Sequence, residues 1–180
     1  MQTITFITGN PNKAAYLADH FHLPITHKHI DLPEIQSLDL ATVVHDKAQR
    51  AYNILKQPVL VEDVALTFHA LNTLPGPLIK WFYEALGNKG LCTLLPKKGD
   101  RTATAEVQFA YCDKKGVHTF KGTQQGSIAQ QPRGTQGYGW DPIFIPQGQT
   151  KTRGEMHEEE RNKGSMRQAA LKKLATYLKV

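Results

Sequence analysis
The chain has 180 residues, enough for one domain with a substantial core. Hydrophobic residues make up 40% and charged residues 21%, ordinary globular usage that excludes a disordered chain. The formal charge of +6 points to an anionic ligand, but the basic residues come as isolated pairs (Lys97-Lys98, Lys114-Lys115, Lys172-Lys173), which favours a small anion over a polynucleotide.

The first segment is the most informative. Ile4 and Phe6 alternate with Thr3 and Thr5, the period-two pattern of a half-buried strand over 2–8. It runs into Thr8-Gly9-Asn10-Pro11-Asn12-Lys13, where Asn10 suits a helix N-cap and Pro11 the first helical position. A strand ending at a helix N-terminus points free N–H groups at one spot, Gly9 permits close approach, and Lys13 adds a positive charge. The result is an anion site suited to phosphate, although no G-x-x-x-x-G-K-[ST] P-loop occurs.

The helix near 11–21 carries Ala14, Ala15, Leu17, Ala18 and Phe21, and a strand near 25–31 follows. Asp39 is placed to cap a helix whose Leu40, Val43, Val44, Ala48, Ala51 and Leu55 share one face. Val59-Leu60-Val61 reads as a short buried strand ending in Glu62 and Asp63. After Pro75-Gly76-Pro77 a helix presents Ile79, Phe82 and Leu86 on one side. From Thr102 the period becomes two, with Ala103, Ala105, Val107, Phe109 and Tyr111 on one face, and Asp113-Lys114-Lys115-Gly116 turns the chain into a return strand over 117–130. A Gly-rich loop over 134–146 and a helix near 164–179, with Leu171, Leu174, Ala175 and Leu178 inward, complete an α/β chain with a mixed sheet.

Carboxylates at strand ends, Glu34, Glu62 and Asp63, suit Mg²⁺, which prefers oxygen ligands and bridges phosphates. Only one of the adjacent Glu62 and Asp63 faces a given site, because strand side chains alternate. A spare carboxylate is placed to activate water for attack on phosphorus. Lys47 and Lys80 lie on helices, and Lys80, between Ile79 and Trp81, is positioned to neutralise a leaving phosphate. Tyr138-Gly139-Trp140-Asp141-Pro142 offers a stacking face and a carboxylate able to read ring N–H donors, with Trp140 as a core anchor the competing view. Arg133-Gly134 is either turn chemistry or a phosphate contact. His20, His22, His27 and His29 suggest zinc, but the nearby acids favour the harder Mg²⁺. Glu158-Glu159-Glu160 reads as a solvated charge cluster at a helix start.

The cysteines Cys92 and Cys112 lack CxxC spacing, so a reducing compartment fits. No basic-then-apolar leader and no 18-residue apolar run occur, which leads us to expect a soluble cytoplasmic protein without membrane partners.

Taken in order, Thr8-Gly9-Asn10-x-x-Lys13, Asp31-Leu32-Pro33-Glu34, Val61-Glu62-Asp63, Leu74-Pro75-Gly76-Pro77-x-Ile79-Lys80-Trp81-Phe82, Pro132-Arg133-Gly134 and Gly139-Trp140-Asp141-Pro142 resemble the inosine triphosphate pyrophosphatase family. The Ile-Lys-Trp-Phe stretch is closest to its eukaryotic branch. The resemblance spans nearly the whole chain, 1–180. It implies hydrolysis of non-standard purine nucleoside triphosphates (ITP, dITP, XTP) to the monophosphate and pyrophosphate, cleansing the nucleotide pool. It also implies Mg²⁺, an elongated two-lobed fold with a central cleft, and a homodimer with no stable nucleic-acid partner.

By position, the resemblance makes Asp63, Glu62 and Lys47 the catalytic group, with Glu34, Asp63 and Glu62 around the metal. Thr8, Gly9, Asn10, Pro11, Asn12, Lys13, Lys47, Val64 and Lys80 would hold phosphate and sugar. Tyr138, Gly139, Trp140, Asp141, Arg161, Met166 and Arg167 would frame the base. Departures fall on the base side: Ser165-Met166-Arg167 stands for a family Ser-His-Arg, Arg161 for lysine and Tyr138 for phenylalanine, while Asn72-Thr73 replaces Gly-Gly. The rival readings are a pyrophosphatase for another modified nucleotide and a nucleotide-sensing module without turnover.

Overall fold
Ile4–Ile7 forms strand β1, and all four side chains are buried rather than alternating. It is an interior parallel strand, paired with β2 (Ile25–Lys28) on one edge and with the strand beginning at Val59 on the other, and such strands are covered on both faces. Even Thr5 is buried, its hydroxyl accepting from Gln57 Nε2 at 2.8 Å. The computed structural model describes residues 3–9, 11–21 and 25–180.

Between β1 and β2 runs helix α1 (Pro11–Phe21). β2 stops at Lys28, shorter than expected, and an irregular stretch leads to Asp39. Asp39 caps helix α2 (Leu40–Leu55) by accepting from the N–H groups of Ala41 and Thr42, which satisfies two of the helix's orphan donors. Leu40, Val43, Val44, Ala48 and Ala51 are its buried stripe.

Strand β3 (Val59–Phe68) corrects the expectation of a three-residue strand ending in acids. Glu62 and Asp63 lie mid-strand, because Val64-Ala65-Leu66-Thr67-Phe68 continues the β-favouring run and pairs with the two-residue β4 (Pro75–Gly76). Helix α3 (Ile79–Thr93) loses helical geometry at Gly87, where φ is 61° and ψ 177°. The expected inward face also shifts: Ile79, Leu91 and Cys92 are buried, Phe82 is half-buried, and Leu86 is exposed.

β5 (Thr102–Asp113) and β6 (Gly116–Ile128) form the expected hairpin, but alternation in β5 stops at Val107: Gln108 to Cys112 are all buried, because this stretch lies in the interior of the sheet. The Gly-rich segment over 134–146 contains a 3-10 turn and a short strand, β7 (Phe144–Pro146), antiparallel to β6. Glu158–Asn162 forms helix α4, with its three acids exposed in the first turn. Met166–Leu178 forms helix α5, which buries Leu171 and Leu174 and half-buries Ala175 and Leu178. The sheet is mixed and seven-stranded, in the order β2-β1-β3-β5-β6-β7 with β4 paired to β3. Among the described residues no helix is long and apolar enough to cross a membrane.

The chain divides into two compact units. Met1–Asp63, Gln108–Lys121 and Ala170–Val180 make the first, around Phe6, Leu17, Val44, Phe109, Leu171 and Leu174. Val64–Val107 and Gly122–Ala169 make the second, around Leu66, Phe68, Leu91, Ile143, Phe144 and Met156. In the second unit Arg101 is the main polar cross-link. Its guanidinium donates to the carbonyls of Ile128 (2.8 Å), Ala129 (2.7 Å), Cys92, Leu95 and Pro96 (3.0 Å each), tying the end of α3 to the end of β6. Helix-end carbonyls have no partner within the helix, so this side chain supplies one. Arg101→Met is expected to cost about 2–4 kcal/mol in urea denaturation, since several part-buried acceptors lose a charged donor at once. A loss under about 0.5 kcal/mol would show that water replaces the guanidinium.

Candidate functional site
Each unit brings together one group of the residues singled out above. In the first, β3 presents Glu62 and Asp63 to opposite faces, as alternation requires, and each meets a different lysine. Lys13, in the first turn of α1, donates to Glu62 Oε1 at 3.1 Å. The Glu62 carboxylate is only 2% exposed, so it survives as a charge only with a partner. Lys47, on α2, reaches Glu34 Oε1 at 2.7 Å and Asp63 Oδ2 at 3.5 Å.

One ammonium is thus shared by two carboxylates. Burial pulls the Lys47 pKa down, but Asp63 and Glu34 outweigh it, and the net shift is upward. Lys47 is therefore a fixed positive charge, fitted to stabilise anionic oxygen and unable to act as a base near neutral pH. Glu62, expected around the metal, meets Lys13 in this structure. Thr8 continues the parallel ladder, its N–H donating to Lys28 O at 3.1 Å, and the His29 ring is the nearest group to a Cβ built on Gly9. Asn10 and the side chains of Pro11, Asn12, His20 and His22 lie outside the described residues.

The donors around Lys47 fit Mg²⁺. Both are carboxylates, both approach one cation, and Mg²⁺ commonly takes one or two carboxylates and completes its shell with water and phosphate. Among the described residues no three His, Cys, Asp or Glu side chains gather, and His27 and His29 are exposed.

In the second unit, Tyr138 is exposed and Trp140 half-buried, its ring edge-on to Phe144 with centroids 5.6 Å apart. Trp140 is therefore at least partly the core anchor of the competing view. Asp141, expected to read a purine, is buried and has both oxygens engaged within the protein, one by the Tyr138 N–H and one by Arg153. Arg167 donates to the Tyr138 hydroxyl at 3.2 Å, a contact that phenylalanine cannot make. Arg161 donates to Met156 O at 2.8 Å, and Met166 is buried at the start of α5. Asn88 donates to Gly139 O at 2.9 Å, a support that sequence reasoning missed. Lys80 is exposed beside Trp81, and Val64 is half-buried in β3. Arg133 donates to Thr150 O and pairs with Glu155, contacts of the turn-chemistry kind. Arg153 was not read from the sequence, although Thr152-x-x-Glu155 is a capping-box pattern that marks its turn.

These features define an α/β protein whose mixed sheet carries two lysine–carboxylate contacts. The chain belongs to the Ham1 family, which it matches over residues 4–177. It is 45% identical over 175 residues to the inosine triphosphate pyrophosphatase of Batrachochytrium dendrobatidis, covering 95% of this chain and 91% of that protein. It is 43% identical over 172 residues to inosine triphosphate pyrophosphatase 2 of Trypanosoma cruzi, covering 93% and 88%. Among solved structures, a HAM1 protein from Coxiella burnetii superposes with a TM-score of 0.89 at 26% identity, covering 99% of both chains. The nucleoside-triphosphatase / dITP/XTP pyrophosphatase of Mycobacterium abscessus gives 0.78 at 26% identity, over 96% and 98%.

Removing the Lys47 charge leaves Glu34 and Asp63 facing each other. Lys47→Met is expected to lose about 1 kcal/mol of stability in EDTA, because Glu34 is partly exposed and its pairing is screened. Millimolar Mg²⁺ should restore more of the variant's melting temperature than it adds to the wild type. The stabilisation from Lys47, with a folded pKa above the ordinary 10.5, is complete below that value and drains as pH rises through the folded one. Denaturant midpoints taken from neutral to strongly alkaline pH should therefore converge between wild type and variant at the alkaline end. Parallel curves would show that the ammonium contributes nothing.

Proposed function
We propose that this protein hydrolyses non-standard purine nucleoside triphosphates (ITP, dITP and XTP) to the monophosphate and pyrophosphate, keeping such nucleotides out of the pool. The observation that carries the reading is the Lys47 ammonium shared by Glu34 and Asp63, with a second lysine, Lys13, held by the neighbouring Glu62 of the same strand. Relatives named inosine triphosphate pyrophosphatase over almost the full length support the same chemistry.

In this reading Glu34 and Asp63 hold Mg²⁺, which when bound neutralises phosphate charge and polarises the P–O bonds. Asp63 orients a water molecule and takes its proton as the water oxygen attacks the α-phosphorus. The α–β bridging P–O bond breaks, and pyrophosphate leaves with the bonding electron pair. Lys13, Lys47 and Lys80 meet the negative charge of the triphosphate, and Thr8 to Asn12 contact its phosphate and sugar. Glu62 fixes Lys13 rather than the metal. The Tyr138 ring and Arg167 frame the purine, with Gly139 and Trp140 shaping the loop and Arg161 beside it. Met166 offers no donor to a 6-oxygen, so ITP should be preferred over ATP by a smaller margin than a histidine there would give.

The reading includes a cytoplasmic homodimer, on the strength of the family likeness, and a free nucleotide rather than a polynucleotide, because the basic residues occur as isolated pairs. Pyrophosphate release from ITP, XTP, dUTP, ATP and GTP with Mg²⁺ tests it. Preference for a nucleotide other than ITP or XTP would favour the rival pyrophosphatase, and binding without turnover would favour a sensing module. Asp63→Asn is expected to lower kcat by a factor of about 10² or more with the fold intact, since it removes both metal charge and proton acceptor. Near-normal turnover at saturating Mg²⁺ would remove Asp63 from the mechanism.

A further inference from the structure
Asp141 lies in the segment read as the base-recognition loop, yet its carboxylate points into the protein. Oδ1 accepts from Arg153 Nε at 2.7 Å and Oδ2 from the Tyr138 backbone N–H at 3.1 Å. Gly137, with φ +74°, makes room for it, because a Cβ there would overlap Oδ2. The Arg153 guanidinium does not stop at Asp141. Its Nη1 donates to the carbonyl of Arg161 at 3.1 Å and reaches Gln124 Oε1 on β6 at 3.4 Å. One side chain thus joins the loop, the segment carrying Arg161, and the sheet.

The pair is well shielded, with side chains 13% and 8% exposed, so water cannot readily take over from a lost partner. Arg153 is itself held in place. Thr152 accepts from the Glu155 N–H, the Glu155 carboxylate accepts from the Thr152 N–H at 2.8 Å, and Thr152 Oγ1 donates to Arg133 O at 2.7 Å. The Gln136 N–H donates to Gly154 O at 2.9 Å, so the backbone leading into the loop is fastened to the same turn. A planar guanidinium serves several acceptors at fixed angles, which a lysine ammonium on a flexible stem does not reproduce.

We propose that Arg153 is a positioning residue for base recognition: through its ion pair with Asp141 it sets the conformation of Tyr138–Asp141, and through the Arg161 carbonyl it couples that loop to a second residue of the base side. Asp141 then holds the loop rather than reading the purine. Recognition falls to the Tyr138 ring, the loop main chain and Arg167. The proposal rests on the pyrophosphatase reading above, in which this loop meets the base.

The test compares wild type, Arg153→Met, Arg153→Lys and Asp141→Asn, with folding checked by circular dichroism and melting. Arg153→Met is expected to raise KM for ITP about tenfold or more and to lower the ITP-over-ATP ratio of kcat/KM, with kcat within about threefold of wild type. Arg153→Lys, which keeps the cation, should recover part of both losses. Inhibition by inorganic pyrophosphate, which has no base, should stay within about twofold of wild type in every variant, because only base binding is disturbed. Unchanged KM and selectivity in Arg153→Met overturn the proposal, as does a loss of pyrophosphate affinity in step with KM, which would mark a general structural role. Should Arg153→Met not fold, the same shifts are required of Arg153→Lys and Asp141→Asn, and their absence from both overturns it. A wild type that releases pyrophosphate from no nucleotide defeats the functional reading and this proposal together. An active wild type with an unaltered Arg153→Met defeats this proposal alone.

Discussion

A carboxylate in the middle of a buried strand constrains much of what surrounds it. Glu62 follows Val59, Leu60 and Val61, each essentially inaccessible, and is itself buried. An unpaired carboxylate there would cost several kcal/mol or be forced to take up a proton. Lys13 supplies the partner from the first turn of α1, so the strand's electrostatics require that helix end to sit where it does. Lys13, which closes the part of the sequence that most resembles a phosphate site, is thereby tied to β3. The pairing also leaves Asp63, one residue on, turned to the opposite face and directed at Lys47.

The Lys47 cluster has a different character. Lys13 meets a Glu62 carboxylate hidden from water, whereas Lys47 is shared between Glu34 and Asp63, both partly exposed. A buried carboxylate specifies position, whereas two carboxylates that water reaches can exchange one cation for another. The proposed binding of Mg²⁺ with a triphosphate rests on that difference: the metal's charge would take over the neutralisation of the two carboxylates, and Lys47 would turn to phosphate oxygen.

In the second unit the governing feature is close backbone approach. Gly134 and Gly154 lie so near each other that a Cβ on Gly134 would overlap the Gly154 carbonyl, and Gly137 stands equally close to the Asp141 carboxylate. The loop is therefore a stapled structure despite its glycines. Of its departures from the family pattern, Tyr138 adds a hydroxyl that engages Arg167, whereas the contact of Arg153 to residue 161 uses a main-chain carbonyl that a lysine there would equally provide.

Local patterns in the sequence identified a good part of this. Asp39 before Leu40 marked a helix start, the alternation from Thr102 marked a hairpin, and the order of elements marked an α/β chain with a mixed sheet, because caps, turns and periodicity act between near neighbours. The carboxylates and lysines of the first unit were legible as residue types, and alternation alone separated Glu62 from Asp63. What the sequence could not decide was partnership. Lys13 and Glu62 are 49 residues apart, and Arg153 finds Asp141 across a turn and Gln124 across the sheet. β1 looked half-buried because Thr5 is polar, and only its place inside the sheet buries it; β3 looked short because acids often end strands, and only the pairing of its second half with β4 shows that it continues. Charge compensation and burial depend on which distant segments the fold brings together, so those assignments belonged to the tertiary structure alone.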